Sequence, residues 1–504
     1  MNQLASLAHG SLAGRHAARR AALACMVTLA VALGIGRFAF TPLLPLMLHG
    51  SAFGQPQIDI QHGGWLASFN YAGYFVGAVA CAALRIEPAR MVRAGLAATV
   101  LLTLAMGVTG QFWVWAAVRF VAGAVSAMTF VFASQWGLRR LAELGAPEWS
   151  GVIYTGPGAG IVGTGLLVTV ADGYGPAIGW VGFGLVGAVL SIAVWPVFSG
   201  RGNGDGGRVA GSDTAPAATR EDADRPAVTK GAGIRSVAAA HATAAPTAPT
   251  AHATATATAT AATATATAHA HAHAHAATTS VDISGAARTH TAATTSAGTT
   301  PAATTNPATT NPADAFWLVL LYGIPGFGYI ITATFLPVIA RHALPGSSWP
   351  DLFWPMFGAA LIVGALLAAR LPAHWDNRAL LAGCYVLQAA GIALGIVWPT
   401  AGGFSLGSIL IGLPFTAITL FAMREARRLR GNNAAALMGY ATAAYGVGQI
   451  AGPLVAAPIA AQSGSFSPAL WLAAAALLAG AAGLAVVARL PPGRGRGMSD
   501  CTCD

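Results

Sequence analysis

The sequence predicts an all-α membrane protein: twelve transmembrane helices in two six-helix halves, joined by a disordered cytoplasmic loop. Three observations predict it. The 504-residue chain is 55% hydrophobic and only 9% charged, with a mean hydropathy of +0.60, whereas a soluble domain carries roughly 25% charged residues. Twelve apolar stretches reach the length of about 20 residues that a helix needs to cross a bilayer. Residues 200–314 interrupt that pattern and divide the stretches six and six.

The apolar stretches of the first half cover 21–48, 63–84, 94–110, 112–138, 151–170 and 177–199. Those of the second cover 315–340, 351–371, 379–398, 403–423, 435–460 and 468–489. The halves are therefore expected over 21–199 and 315–489, with cytoplasmic tails over 1–20 and 490–504. The first stretch is too long for a signal peptide, lacks an A-x-A cleavage site and is followed by further spans. The third and twelfth are nearly pure aliphatic, as lipid-facing supports should be.

The interrupting segment contains "AHATATATATAATATATAHAHAHAHAA". It has too few large apolar residues to offset its ordering entropy, which predicts disorder. Its alternating His269, His271, His273 and His275 read as unconstrained repetition rather than a metal site. The cysteines are scattered, with Cys25, Cys81 and Cys384 in spans and Cys501 and Cys503 in the tail. They form neither a disulfide framework nor a closed zinc site.

The net charge of +10 is a matter of topology. With the N-terminus inside, all but three of the 27 Lys and Arg residues fall in cytoplasmic segments. The positive-inside rule then places both ends in the cytoplasm and removes the need for a nucleic-acid partner. The exceptions are Arg341, at an outer helix end, and Arg37 and Arg119, inside spans.

Arg37 lies in "LGIGRFAFTPLLPLM", residues 33–47, ~16 Å from the outer end of its span at 1.5 Å per residue, and Arg119 is ~10 Å deep by the same measure. A central cation costs several kcal/mol unless it faces a cavity or a partner. Carbonyls freed near Pro42 and Pro45 are one such partner; a substrate is the other. The 17 acidic residues fall in loops, tails or span edges, so no mid-membrane carboxylate is available as a proton carrier. Two deep cations without deep anions favour a substrate with a carboxylate or another acidic group, which arginine binds as a fork. Further cavity candidates are Asn70, Tyr71, Tyr74, Gln135 and Tyr154 in the first half. In the second they are Tyr329, Thr332, Tyr440, Tyr445 and Gln449. Each of these also fits a role in helix packing.

The halves share a pattern. Gly34-x-Gly36 precedes Leu44-Pro45 at the same offset as Gly326-x-Gly328 precedes Leu336-Pro337. The fifth helix of each half carries a Gly-Pro pair, Gly156-Pro157 with Gly160 and Gly452-Pro453. Glycines allow close helix packing, prolines free carbonyls, and bent helices at matching places point to a transporter's central site.

These features resemble the major facilitator superfamily. "VRFVAGAVSA", with Arg119 and Gly123, is similar to that family's fourth-helix signature. The Gly-Pro segment of helix 5 resembles its antiporter-type signature. "LGIGRFAFTPLLPLM" with "YGIPGFGYIITATFLPVIAR" looks like the bacterial YbfB/YjiJ group. The family's usual charged loop between helices 2 and 3 is replaced by "ALRIEPARMVRAG". Glu87, Arg90 and Arg93 there, and Asp376 and Arg378 in the matching second-half loop, are the candidates for an inner-gate latch.

The resemblance implies a secondary active transporter in the bacterial inner membrane, rocking its halves around a midplane site. The alternatives are a transport-inactive sensor or scaffold of the same fold, and a lipid flippase. The expected partners are a small-molecule substrate and membrane lipid, with a monomer as the working unit. No metal, cofactor, nucleotide motif or nucleophile–base pair is expected, hence no enzyme.

Overall fold

The computed structural model describes residues 2–50, 55–81, 83–171, 173–199, 312–372, 374–431 and 434–489. The expected disordered linker falls, except for its last three residues, outside the described residues, as do its histidine tract and the tail cysteines. The described chain is helical from Asn2, within the expected N-terminal tail, and resumes as helix at Pro312.

The first rod, α1, joins Asn2–Leu29, a π-helical stretch Ala30–Phe38 and Phe40–His49. It is followed by α2 (Ile60–Ala80), α3 (Pro88–Val108), α4 (Phe112–Glu143), α5 (Ser150–Ile153 and Gly156–Ala171) and α6 (Pro176–Phe198). The second half comprises α7 (Pro312–Ala343), α8 (Pro350–Arg370), α9 (Asn377–Val397), α10 (Ala401–Gly412 and Phe415–Arg430), α11 (Ala434–Ser463) and α12 (Ser467–Arg489). Among the described residues, 11 of these helices are long and apolar enough to cross a membrane. The remaining one, α2, is 21 residues long and carries Gln61, His62 and Asn70; it packs against α4 and α11 in the interior.

Bare glycine backbones set the helix crossings, and the two halves repeat them. A methyl group on Gly73 of α2 would stand 1.8 Å from the Phe120 carbonyl oxygen of α4; one on Gly364 of α8 would stand 1.8 Å from the Leu413 carbonyl oxygen of α10. Likewise, a methyl on Gly160 of α5 would meet the Ala30 carbonyl oxygen of α1 at 2.5 Å, and one on Gly448 of α11 the Gly323 carbonyl oxygen of α7 at 2.4 Å. Such approaches maximise dispersion contact between helices where lipid supplies no hydrophobic drive.

Helices run through Pro45, Pro337 and Pro453 without interruption, so these three prolines are not where the rods break. Pro42 falls in the first turn of Phe40–His49, where no intrahelical donor is required. The irregularities lie at Ala30–Phe38 in α1, at Tyr154–Thr155 in α5 and at Leu413–Pro414 in α10. The helix ends bearing Arg139, Arg140, Arg370, Arg427, Arg428, Arg430 and Arg489 define an arginine-rich face. Side-chain hydrogen bonds join the halves on the other side of the molecule. Thr41 Oγ1 donates to the Ala333 carbonyl at 3.0 Å, Tyr71 OH and Thr334 Oγ1 are 3.0 Å apart, and Ser68 Oγ donates to the Ile450 carbonyl at 2.9 Å.

Candidate functional site

Between the halves lies a cavity of about 210 Å³. It reaches from Arg37, Phe38 and Gln449 toward Val79, Met423 and Gly439, the last three lying near the ends of α2, α10 and α11 at the arginine-rich face. Gly439 and Gln449 are ten residues apart on α11, a depth of ~15 Å at 1.5 Å per residue. The cavity is thus open in the direction of the arginine-rich face and closed beyond Arg37 by the hydrogen bonds between halves.

The π-helical stretch delivers Arg37 to this closed end. Val31–Phe38 are all buried, and a methyl on Gly34 would stand 2.4 Å from Gly160 Cα. With α1 pressed backbone-to-backbone on α5 at Gly34, the wide turns project Arg37 away from that contact and into the gap between halves. π-helical turns recur at functional sites for this kind of re-aiming. Arg37 is 5% exposed, with its Cζ 4.0 Å from the ring centroid of Tyr74 and 5.1 Å from that of Tyr71. Its Nη2 donates to Gln449 Oε1 at 3.0 Å, and its buried Nε has no hydrogen-bond partner. Gln449 in turn donates to the Tyr329 hydroxyl. Among the described residues lining the cavity, Arg37 is the only charged one.

A second row of residues holds the first. Arg119 is 2% exposed, and its Nη2 donates to the Arg37 carbonyl at 3.3 Å while its Cζ lies 4.6 Å from the Phe40 ring centroid. Asn70 Nδ2 donates to the Arg119 carbonyl at 2.8 Å. Cation–π contact and carbonyl acceptors thus take the place of a carboxylate around both deep cations.

The model of a family described as "Uncharacterised MFS-type transporter YbfB" matches the chain over residues 29–233 and 231–485. The chain belongs to that family. Its twofold match agrees with the repeated crossings of the two halves. No curated protein matches the sequence. Among solved structures, the chain is similar to the nucleoside transporter NupG, with TM-score 0.57 and 11% identity over 94% of this chain and 100% of that one. A mutant form of NupG gives TM-score 0.60 and 11% identity over 92% and 99%. The human organic anion transporter MFSD10 (TETRAN) gives TM-score 0.52 and 15% identity over 93% and 99%. At such identities these likenesses speak for the fold alone, and the fold is that of MFS transporters.

In this MFS-type transporter, Arg37, Tyr74, Tyr154, Tyr445 and Gln449 line the cavity. Arg119, Asn70 and Tyr329 stand behind the lining. Gln135 and Tyr440 are not among the lining residues, Tyr440 being 51% exposed. Thr332 lies in a separate, small pocket within the second half, beside Leu336 and Ser408. Pro157 lines the cavity. Gly156 packs on the Met26 carbonyl of α1, Gly326 on that of Tyr445, Gly328 on Leu477 and Gly452 on Ile330, while Gly36 faces the methyl of Thr99.

The candidate latch residues make contacts within their own halves. Arg90 pairs with Glu87 at 2.7 Å on the surface, and Arg93 lies 5.9 Å from the Trp195 ring centroid. Asp376 caps α9 by accepting from the Arg378 backbone N–H at 2.9 Å. Arg378 pairs with Glu425 of α10 at 2.7 Å and Asp314 of α7 at 3.3 Å, and donates to the Val487 carbonyl of α12 at 3.0 Å. Arg378 therefore fastens four helices of one half together.

Two features escaped the sequence reading. Glu425 is fully buried, although "MREARRLR" reads as a basic loop. Phe421, Ala422, Glu425, Ala426 and Leu429 form one buried stripe at helical spacing, and that stripe was the available signal. Tyr322 also lines the cavity and stacks on Tyr445 at 5.0 Å, donating its hydroxyl to Thr419 Oγ1 at 3.1 Å. Its seven-residue spacing from Tyr329, two helical turns on one face, could have found it.

Proposed function

We propose that the chain is a secondary active transporter that carries a small anionic solute across a bacterial inner membrane by alternating access. The carrying observation is that the cavity between the halves ends at Arg37, which among the described residues is its only charged lining residue and has no carboxylate partner. A buried guanidinium held by a neutral amide and aromatic side chains, with no carboxylate beside it among the described residues, is matched by an acidic group, which gives two parallel charge-assisted hydrogen bonds. The arginine-rich face is then the cytoplasmic one, in keeping with the positive-inside rule, and the described conformation is open to the cytoplasm. Rocking the halves would separate Tyr71 from Thr334 and Thr41 from Ala333, exposing Arg37 to the outer side. A volume of about 210 Å³ supports a small solute over a lipid.

The test has two arms. Spin-label pairs across each face of the protein in nanodiscs should show two populations exchanging in opposite senses; a single fixed distance on both faces would defeat alternating access. A thermal-shift panel of organic acids, sugars, amines and nucleosides, followed by uptake into proteoliposomes, should return an acid that Arg37→Ala protein neither binds nor transports. A transported neutral or cationic hit, indifferent to Arg37→Ala, would defeat the anionic reading.

A further inference from the structure

The surroundings of Arg37 narrow the substrate class, resting on the anionic reading above. We infer that the cavity accepts an aromatic monoacid: one planar ring bearing a single acidic group and no cationic group.

Volume sets the size. An apolar cavity of ~150 Å³ holds benzene, so about 210 Å³ holds one ring with a small acidic substituent. Charge sets the valence. Arg37 Nε, buried and without a hydrogen-bond partner, and Nη2, shared with Gln449, form one edge of the guanidinium, which serves one acid once Gln449 gives way. The other deep cation, Arg119, is turned onto the Arg37 carbonyl and the Phe40 ring, so a second anionic group has no cation to meet. An ammonium group would find no carboxylate among the described lining residues and would face Arg37 directly. The walls set the body. Tyr74, Phe75 and Phe130 from one half and Tyr322, Phe415 and Tyr445 from the other bring aromatic rings to both sides. Rings in such a space settle edge-to-face or offset-stacked at 4.5–7 Å, each pair contributing about 0.5–1.5 kcal/mol beyond burial. Gln449 Oε1 stands where an acid oxygen would; on binding, the acid replaces a neutral acceptor by a charged one at the same guanidinium.

The experiment is calorimetric titration of the full-length protein with benzoate and phenylacetate. The comparators are benzamide (neutral ring), phenylalanine (zwitterion), phthalate (dianion) and acetate (no ring). Benzoate or phenylacetate should bind about tenfold or more tightly than every comparator. Arg37→Lys, which keeps the charge but loses the fork, should weaken that binding about tenfold with little change in melting temperature. Equal binding of benzamide would overturn the proposal and the anionic reading together. Equal or tighter binding of acetate would overturn the aromatic part and leave the anionic reading standing. Equal binding of phenylalanine or phthalate would overturn the monoacid part. No binding by either aromatic acid would overturn the inference, while the spin-label and uptake measurements above judge transport independently.

Discussion

Arg37 of the first half and Gln449 of the second meet at 3.0 Å, at the depth where the cavity ends and the closed side opposite the arginine-rich face begins. Both residues are 5% exposed. The bond is therefore a tie between halves as well as a feature of the site.

Removing the tie should shift the conformational balance. A hydrogen bond to a charged group contributes about 1.5–3 kcal/mol, worth roughly 10- to 100-fold in a population ratio. Gln449→Leu should therefore increase the fraction of molecules open on the side opposite the arginine-rich face. Spin-label distances across that face report it; an unchanged distribution would assign Gln449 to the site alone.

Gly34→Ala should destabilise the protein by about 1–3 kcal/mol, the usual effect of overpacking, because its methyl would meet Gly160 Cα at 2.4 Å. Gly182→Ala is the control, since nothing lies within 4 Å of its added methyl and alanine favours helix. Thermal unfolding in detergent should separate the two variants; equal midpoints would contradict the close α1–α5 contact.

Glu425→Gln should cost about 3–5 kcal/mol, as expected when one member of a buried ion pair is removed. The double variant Arg378→Met with Glu425→Leu should recover part of that loss by removing both charges. Denaturation of the two variants side by side decides it. Comparable losses would mean that Arg428, also 2.7 Å from Glu425, and Asp314 dominate the cluster.

Asp59 caps α2, accepting from the His62 backbone N–H at 2.7 Å. Partial burial pushes its carboxyl up, but the His62 N–H, the His62 ring and the Gln61 N–H together hold it below the usual carboxylate range. A depressed carboxyl contributes stability above its unfolded pKa of about 3.9, and that contribution is lost as pH falls through the folded value. Asp59→Ala should thus cost about 1 kcal/mol at pH 7, as for a lost N-cap, and the gap should close below pH ~4. Melting temperatures at both pH values check it; a gap that persists in acid would exclude the carboxylate as its source.

The main lines were legible because the membrane penalises charge and polar backbone. Spans of bilayer length and the depth of Arg37 follow from composition and spacing alone. The role of Arg119 was less legible, since its depth said that it needed a partner but not that the partner is the backbone of Arg37. The break of α5, at Tyr154–Thr155, falls beside the expected Gly156-Pro157, but that of α1 does not fall at its prolines. Proline signals a lost hydrogen bond, yet Pro45, Pro337 and Pro453 sit within unbroken helices, while the irregular turns of α1 fall at Gly34 and Gly36. Glu425 was hidden because α10 runs seven residues beyond its apolar stretch, to Arg430, and a hydropathy boundary does not see an amphipathic extension.

The wide turns of Ala30–Phe38 give α1 slack. Bonds from i to i+5 store more chain per turn than the i to i+4 bonds of an α-helix. Slack of this kind can be handed along a rod one residue at a time, each step exchanging a backbone bond rather than breaking the ladder. A one-residue step turns the side chains it passes by about 100° while both ends of α1 stay anchored. Arg37 sits one residue from the end of that slack, where such a step would swing its guanidinium from one wall of the cavity to another without the helix moving as a body.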